Sequence, residues 1–151
     1  MRIQRDAAPC EAVSRLLIQH LEQMHQISPP GSVHALDPEA LRSPDLTFWS
    51  AWQDDELLGC GALKRLGKDR GEVKAMRTVD AHRRRGIAAR ILERILDEAV
   101  RRDYRTLYLE TGAQPEFAPA RALYTRYGFV PCGPFEGYTD DPNSAFMAKR
   151  L

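Results

Sequence analysis

Between Glu72 and Arg102 the apolar residues change their repeat, and this change limits the fold more than any other feature of the chain. From Glu72 to Val79 they alternate with the period of a strand, which predicts Val73, Ala75 and Arg77 on one face. After His82 the period becomes helical. Ala88, Ile91, Leu92, Ile95, Leu96 and Ala99 make one apolar stripe on a helix from about 86 to 102. Arg101 and Arg102 lie near its end, where the helix dipole favours cations. The junction reads Arg83-Arg84-Arg85-Gly86-Ile87-Ala88. A helix that starts at such a loop presents its first unpaired N–H groups to whatever lies beyond, and the dipole favours an anion there. Gly86 allows close approach of the backbone, Ala88 keeps the next turn thin, and arginines supply forked donors suited to phosphate.

The other elements fall around this unit. Residues 1–5 read as a short strand. Residues 9–25 read as a helix, with Pro9 in its first turn and Val13, Leu16, Leu17, His20, Leu21 and Met24 on its stripe. His20 is expected as a packed residue of that stripe. A short helix is expected after Asp37, with Pro38 at its first position. Leu46–Gln53 and Leu57–Leu66 form a hairpin across Asp54-Asp55-Glu56, and 67–71 is a turn before the strand at Glu72. Trp49 and Trp52 have opposite parity on their strand, so at least one belongs to the core. Thr106–Glu110 is a strand, Pro119–Tyr127 a helix stopped by Gly128, and 129–135 and 145–150 are closing strands. The expected architecture is one domain, residues 1–151, of α/β (α+β) class. It has a mixed, mostly antiparallel sheet of six to seven strands flanked by about four helices.

Composition then removes several functions. Lys plus Arg number 22 and Asp plus Glu 21, a net charge of +1 that argues against a nucleic-acid or membrane-surface binder. The balance hides an asymmetry, because residues 64–105 carry net +7 and the remainder net −6. The N-terminal ten residues lack the apolar core of a signal peptide, and no apolar run approaches a membrane span, so the expected location is the cytoplasm. Cys10, Cys60 and Cys132 are odd in number and widely spaced, and the four histidines form no ligand pair. Neither a disulfide framework nor a bound metal is expected. The P-loop and dinucleotide fingerprints are both absent.

Two motifs in order carry a family resemblance. Arg-x-x-Gly-x-Ala at 83–88 resembles the acyl-CoA pyrophosphate loop of the GCN5-related N-acetyltransferase (GNAT) superfamily. Ala122-Leu123-Tyr124-Thr125-Arg126-Tyr127-Gly128-Phe129 resembles its penultimate helix, and the element order is similar over nearly the whole chain. The stretch from Glu110 to Leu151 further resembles a bacterial subgroup of small acetyltransferases, through Tyr138-x-x-Asp-Pro-x-Ser-x-Phe-Met147.

The resemblance implies an acetyl-CoA-dependent N-acetyltransferase that works by direct attack in a ternary complex, with no metal. An acyl-CoA-binding module without catalysis on the same fold is the alternative. The implied cofactor-binding residues are Met76, Arg77, Thr78, Val79, Arg83, Arg84, Arg85, Gly86, Ile87, Ala88, Ala89, Ala120, Leu123, Tyr124 and Tyr127. The pantetheine arm would pair with the backbone of Thr78 and Val79, the pyrophosphate would lie on the amides of 84–89, and an N–H near Arg77 or Thr78 would hold the oxyanion. Tyr124 matches the family tyrosine beside the CoA sulfur, as general acid. Glu72 is the implied base, 11 residues ahead of Arg83, with Glu110 the other candidate. The family often has Asn where this chain has Phe117. The acceptor would be a primary amine of a small molecule or a protein. Its site would be lined by regions holding His25, His34, Asp37, Glu39, Asp45, Glu136, Tyr138, Asp140 and Asp141, and this acidic excess would suit a cationic amine. Asp140-Asp141-Pro142-Asn143 also reads simply as a turn. A homodimer is common among similar proteins.

Overall fold

Seven strands form one sheet in the computed structural model, in the order β1-β2-β3-β4-β5-β7-β6. The structure describes residues 1–7, 10–33 and 42–151. In chain order the elements are β1 (Arg2–Asp6), α1 (Glu11–Ile27), β2 (Leu46–Gln53), β3 (Glu56–Arg65), β4 (Arg70–Thr78), α2 (Ile87–Arg101), β5 (Thr106–Gly112), α3 (Ala118–Arg126), β6 (Val130–Pro131) and β7 (Ser144–Arg150). Only β4 and β5 pair in parallel; the other neighbours are antiparallel. Three α-helices lie among the described residues. Pro9, His34, Asp37, Glu39 and the short helix expected at Pro38 lie outside them.

Each face of the sheet buries one helical stripe. On one face α2 packs Ile87, Ile91, Leu92, Ile95 and Ala99 against Trp49, Leu63, Val73, Leu107 and Leu109. On the other, α1 packs Val13, Leu16 and Leu17 against Phe48, Leu57, Cys60 and Ala62, with Trp52 at the margin. The two tryptophans therefore serve opposite faces, as their parity required. The α2 face is tight because β3 carries glycine there. A Cβ at Gly61 would come within 2.5 Å of Met76 Sδ and 2.7 Å of Ile91 Cγ2. Gly61→Ala is therefore expected to destabilise the fold by about 1–3 kcal/mol through overpacking. Chemical denaturation would show this as a lower midpoint with an unchanged slope.

Three expectations need correction. The expected strand over 129–135 shrinks to Val130–Pro131, because Pro131 and Pro134 offer no N–H and Glu136 and Gly137 turn the chain at positive φ. The strand before the loop runs Arg70–Thr78 and stops short of Val79. Val73, Ala75 and Arg77 do not share a face. The register between β3 and β4 slips between Cys60 and Ala62, and Ala75 sits at φ 55°, so an extra residue is accommodated in a β-bulge. Val73 and Met76 consequently pack on the α2 side, while Ala75 faces the α1 side and Arg77 reaches Gln23 of α1.

Candidate active site

β4 and β5 pair only from Arg70–Glu72 against Thr106–Tyr108. Beyond this point both strands continue, to Thr78 and to Gly112, without pairing to each other. The sheet opens there, and a cleft of about 640 Å³ occupies the opening between β4, β5, α1, α3 and the start of α2. Its wall includes Glu72, Met76, Arg77, Thr78, Arg83, Arg84, Ile87, Ala88, Ala120, Leu123 and Tyr124. The structure thus brings most of the residues singled out from sequence into one cavity, with Glu110 beside them.

One end of the cleft is the start of α2. Gly86 is the N-cap at φ 77°, no side chain caps the helix, and its first turn holds no acid. The first N–H groups, those of Ile87, Ala88 and Ala89, are thereby left to the cleft side of the loop. Arg84, just before, also has a positive φ, 63°. Two of the chain's non-glycine residues in this costly region, Ala75 and Arg84, line the same cavity.

Four expected cofactor residues stand elsewhere, by side chain or by backbone. Arg85 turns away from the cleft; its Nη1 donates to His82 Nδ1 at 2.6 Å and its Nη2 to Gln53 at 3.1 Å. A guanidinium only donates, so His82 carries its proton on Nε2 and gives it to Glu56 at 3.0 Å. Val79 has its N–H on Leu58 O at 2.9 Å and its carbonyl on His82 N at 2.8 Å, so only the second lone pair of that carbonyl is left for an added arm. Tyr127 caps α3 and packs on the core with Arg126 over its ring. Ala89 contributes no side chain to the wall.

The middle of the cleft is cationic and partly paired, with Arg77 Nε and His20 Nδ1 buried without a hydrogen-bond partner among the described residues. Arg77 donates to Gln23 and, at 3.2 Å, to Asp80, which also accepts from Arg83 at 2.7 Å. His20 lines the wall close to these arginines. Burial, and then the charges of Arg77 and Arg83, lower its pKa to about 4, so it is neutral near pH 7. The sequence suggested only a packed histidine here. Of the fourteen basic side chains in 64–105 only Lys74, Arg77, Arg83 and Arg84 line the cleft. Others are spent elsewhere, such as Arg101 and Arg102 on Glu98.

The far end lies where the strands part. Glu72, buried, accepts from Tyr138 Oη at 2.7 Å and Lys74 Nζ at 3.1 Å, and Lys74 also donates to Tyr138 Oη at 2.9 Å. Glu110 faces this trio from β5. Burial is the largest influence on it and raises its pKa from 4.5 to about 7; Lys74 opposes the rise, and Glu72 and Asp141 add to it. Tyr124 is 6% exposed, with its ring edge-on to Phe129 at 5.8 Å. Burial holds its phenol well above the ordinary range, so it stays protonated.

Of the expected acceptor residues, Tyr138 stands at this end and Asp141 acts on Glu110 there, while others are displaced from it. His25, Asp45 and Asp140 are exposed, and Glu136 is paired to Arg70 at 2.8 Å; none of these lines the cleft. Asp141 does form the expected turn, accepting from Asn143 N at 2.8 Å, but it also accepts from Ser32 Oγ at 2.5 Å. Gln114 joins Ser28 and Asn143 in the same seam. This network ties the end of α1 to the loops after β5 and before β7. Among the described residues no cluster of His, Cys, Asp and Glu suits a metal, and no helix is long and apolar enough to cross a membrane.

Comparison with known proteins agrees with this architecture. The Acetyltransferase (GNAT) family model matches residues 12–129. The chain is 50% identical over 151 residues to the uncharacterized N-acetyltransferase YsnE of Bacillus subtilis (strain 168), covering 100% of both. A solved candidate acyl-CoA N-acyltransferase from Klebsiella pneumoniae subsp. pneumoniae MGH 78578 is 30% identical, with a TM-score of 0.77 over 99% of this chain and 97% of that one. A GNAT family acetyltransferase from Elizabethkingia anophelis with acetyl-CoA bound shares the fold at TM-score 0.67 and 16% identity, over 99% and 97% of the chains. A mixed sheet split around a cleft, with an open helix start at one end, is the frame of an acyltransferase. The chain belongs to the Acetyltransferase (GNAT) family.

Proposed function

We propose that the chain moves the acetyl group of acetyl-CoA to an amine by direct attack within a ternary complex. The observation that carries this is the parting of β4 from β5 beyond Glu72. It leaves one edge of β4 unpaired by β5, and that edge runs straight into the open start of α2. An extended amide-bearing arm can add to such an edge as a strand does, with Met76, Arg77 and Thr78 offering backbone groups. The pyrophosphate then meets the loop amides, Arg83 and Arg84. The relative solved with acetyl-CoA shares this fold.

The reacting groups follow from the other end. An alkylamine of pKa about 10.4 is neutral in only roughly 1 in 2,500 molecules at pH 7, so a base near the strand parting is needed. Glu72 already accepts two hydrogen bonds on one oxygen, which suits it to fixing the wall. Glu110, titrating near 7, is matched to taking a proton at neutral pH, directly or through water. The amine nitrogen bonds to the thioester carbonyl carbon while its proton passes to Glu110. A backbone N–H freed by the Ala75 bulge steadies the oxyanion. The C–S bond then breaks, and Tyr124 gives its proton to the leaving thiolate.

A thiol-release assay with acetyl-CoA over amino acids, polyamines, aminoglycosides and peptides tests this. Release above the hydrolysis background with at least one acceptor is expected. Tight acetyl-CoA binding with no release across the panel would leave an acyl-CoA-binding module instead.

A further inference from the structure

Among the described residues Lys74 is the one cation at the end of the cleft where the amine would react, and its surroundings constrain the acceptor. The side chain is 10% exposed and lines the cavity next to Glu72. Two of its three N–H donors go to Glu72 Oε2 and Tyr138 Oη. Among the described residues no third hydrogen bond of this ammonium is recorded, and Lys74 acts electrostatically on Glu110 across the parting. Glu72 gives nothing further to a cation through the oxygen that Lys74 and Tyr138 share. Glu110 loses its charge when it takes the amine's proton. A polyamine would have to bring a second ammonium against Lys74, where among the described residues the carboxylates Glu72 and Asp141 already accept from Lys74, Tyr138, Ser32 and Asn143. An acceptor with its own carboxylate finds the opposite: an unspent N–H donor for the carboxylate and Glu110 for the amine, side by side.

We propose that the acceptor is an amino acid or similar small molecule carrying a carboxylate near its amine, with Lys74 holding that carboxylate. This rests on the transferase reading above and adds the substrate class to it. The buried position of the ammonium gives the contact its strength, since charge-assisted hydrogen bonds gain in a site shielded from water.

The test uses acceptors in pairs that differ only in the α-carboxylate: lysine with 1,5-diaminopentane, and tyrosine with tyramine. Thiol release is followed at saturating acetyl-CoA. In the wild-type protein the acid of at least one pair is expected to exceed its decarboxylated partner at least about tenfold in kcat/KM, the effect of a single lost charge-assisted contact. Lys74→Met is expected to bring that ratio towards one through the acceptor's KM, leaving the KM of acetyl-CoA in place. Decarboxylated amines that match or outpace the acids in the wild-type protein would overturn the proposal while leaving the transferase reading intact, whether or not the variant folds. Absence of thiol release with every member of both pairs and with the wider panel would overturn the transferase reading itself.

Discussion

Glu110→Gln is expected to lower kcat by about 10²–10⁴, the usual worth of a general base, and at the same time to stabilise the folded protein above neutral pH. Both effects come from one cause. Burial raises the pKa of this carboxyl from 4.5 to about 7, so the folded protein holds the proton more tightly than the unfolded chain. Between those two values the unfolded chain has lost a proton that the folded one keeps. Stability therefore falls as pH rises through that window, and the whole penalty is present above about 7. At roughly 1.4 kcal/mol for each tenfold change in proton affinity, the penalty is about 3 kcal/mol. Gln has the same shape and no proton to lose, so the variant's stability should be nearly flat across the window. Urea midpoints at pH 5 and pH 8 would show the wild type falling and the variant level. In kinetics the wild type should gain kcat/KM as pH rises through about 7, while the variant loses that limb and keeps only the substrate's own ionisation. An unchanged limb in Glu110→Gln would remove Glu110 as the base.

Tyr124→Phe should cost about 10²–10⁴ in kcat with little change in the KM of acetyl-CoA. The ring keeps its edge-on contact with Phe129 and its place under the cleft, so the fold and the cofactor wall remain. What goes is the proton for the thiolate. Burial keeps this phenol protonated well into the alkaline range, so the residue itself imposes no fall in rate near neutral pH. Full activity in the variant would reduce Tyr124 to a packing residue. A CoA analogue with a better leaving thiol should recover part of the loss, because such a thiolate needs the acid less.

Much of this was legible in the sequence where the information is local. The switch of period around His82 located β4, the loop and α2, and Leu46–Gln53 is a strand over the very residues read as one. The helix motif placed Tyr124 in the cleft wall. The failures come from contacts distant in the chain or from one irregular residue. Arg85 is drawn outward by His82, only three residues back, together with Gln53, 32 residues away, and that second partner appears only once β2 is in place. Glu72 meets Tyr138 across 66 residues, and this contact, with Lys74, shifts the base's role towards Glu110. Lys74 itself carried a weak signal, since Glu72 and Lys74 are two apart on one strand and share a face. Glu110 owes its altered acidity to burial, which a strand-end carboxylate does not reveal before the sheet is assembled. The paired glycines of β3, Gly59 and Gly61, hinted at the close approach of α2, but not at the bulge opposite.

That bulge has a consequence for how the strand tolerates change. β4 carries two alternations half a cycle out of phase, joined at Ala75. Glu72 and Lys74 obey the first, Arg77 the second, and only the phase slip brings all three to one cavity. Deleting Ala75 would merge the two into a single wave and leave Met76 on the α2 side and Arg77 on the α1 side, because the bulge holds one residue more than the partner strand opposes. The shortened strand would lose only the local kink and the backbone groups that the extra residue leaves out of the ladder. A chain that kept every residue but paired β3 with β4 without the slip would instead send Arg77 into the packing of α2 and Met76 out towards α1, and the two ends of the cleft would then belong to opposite faces.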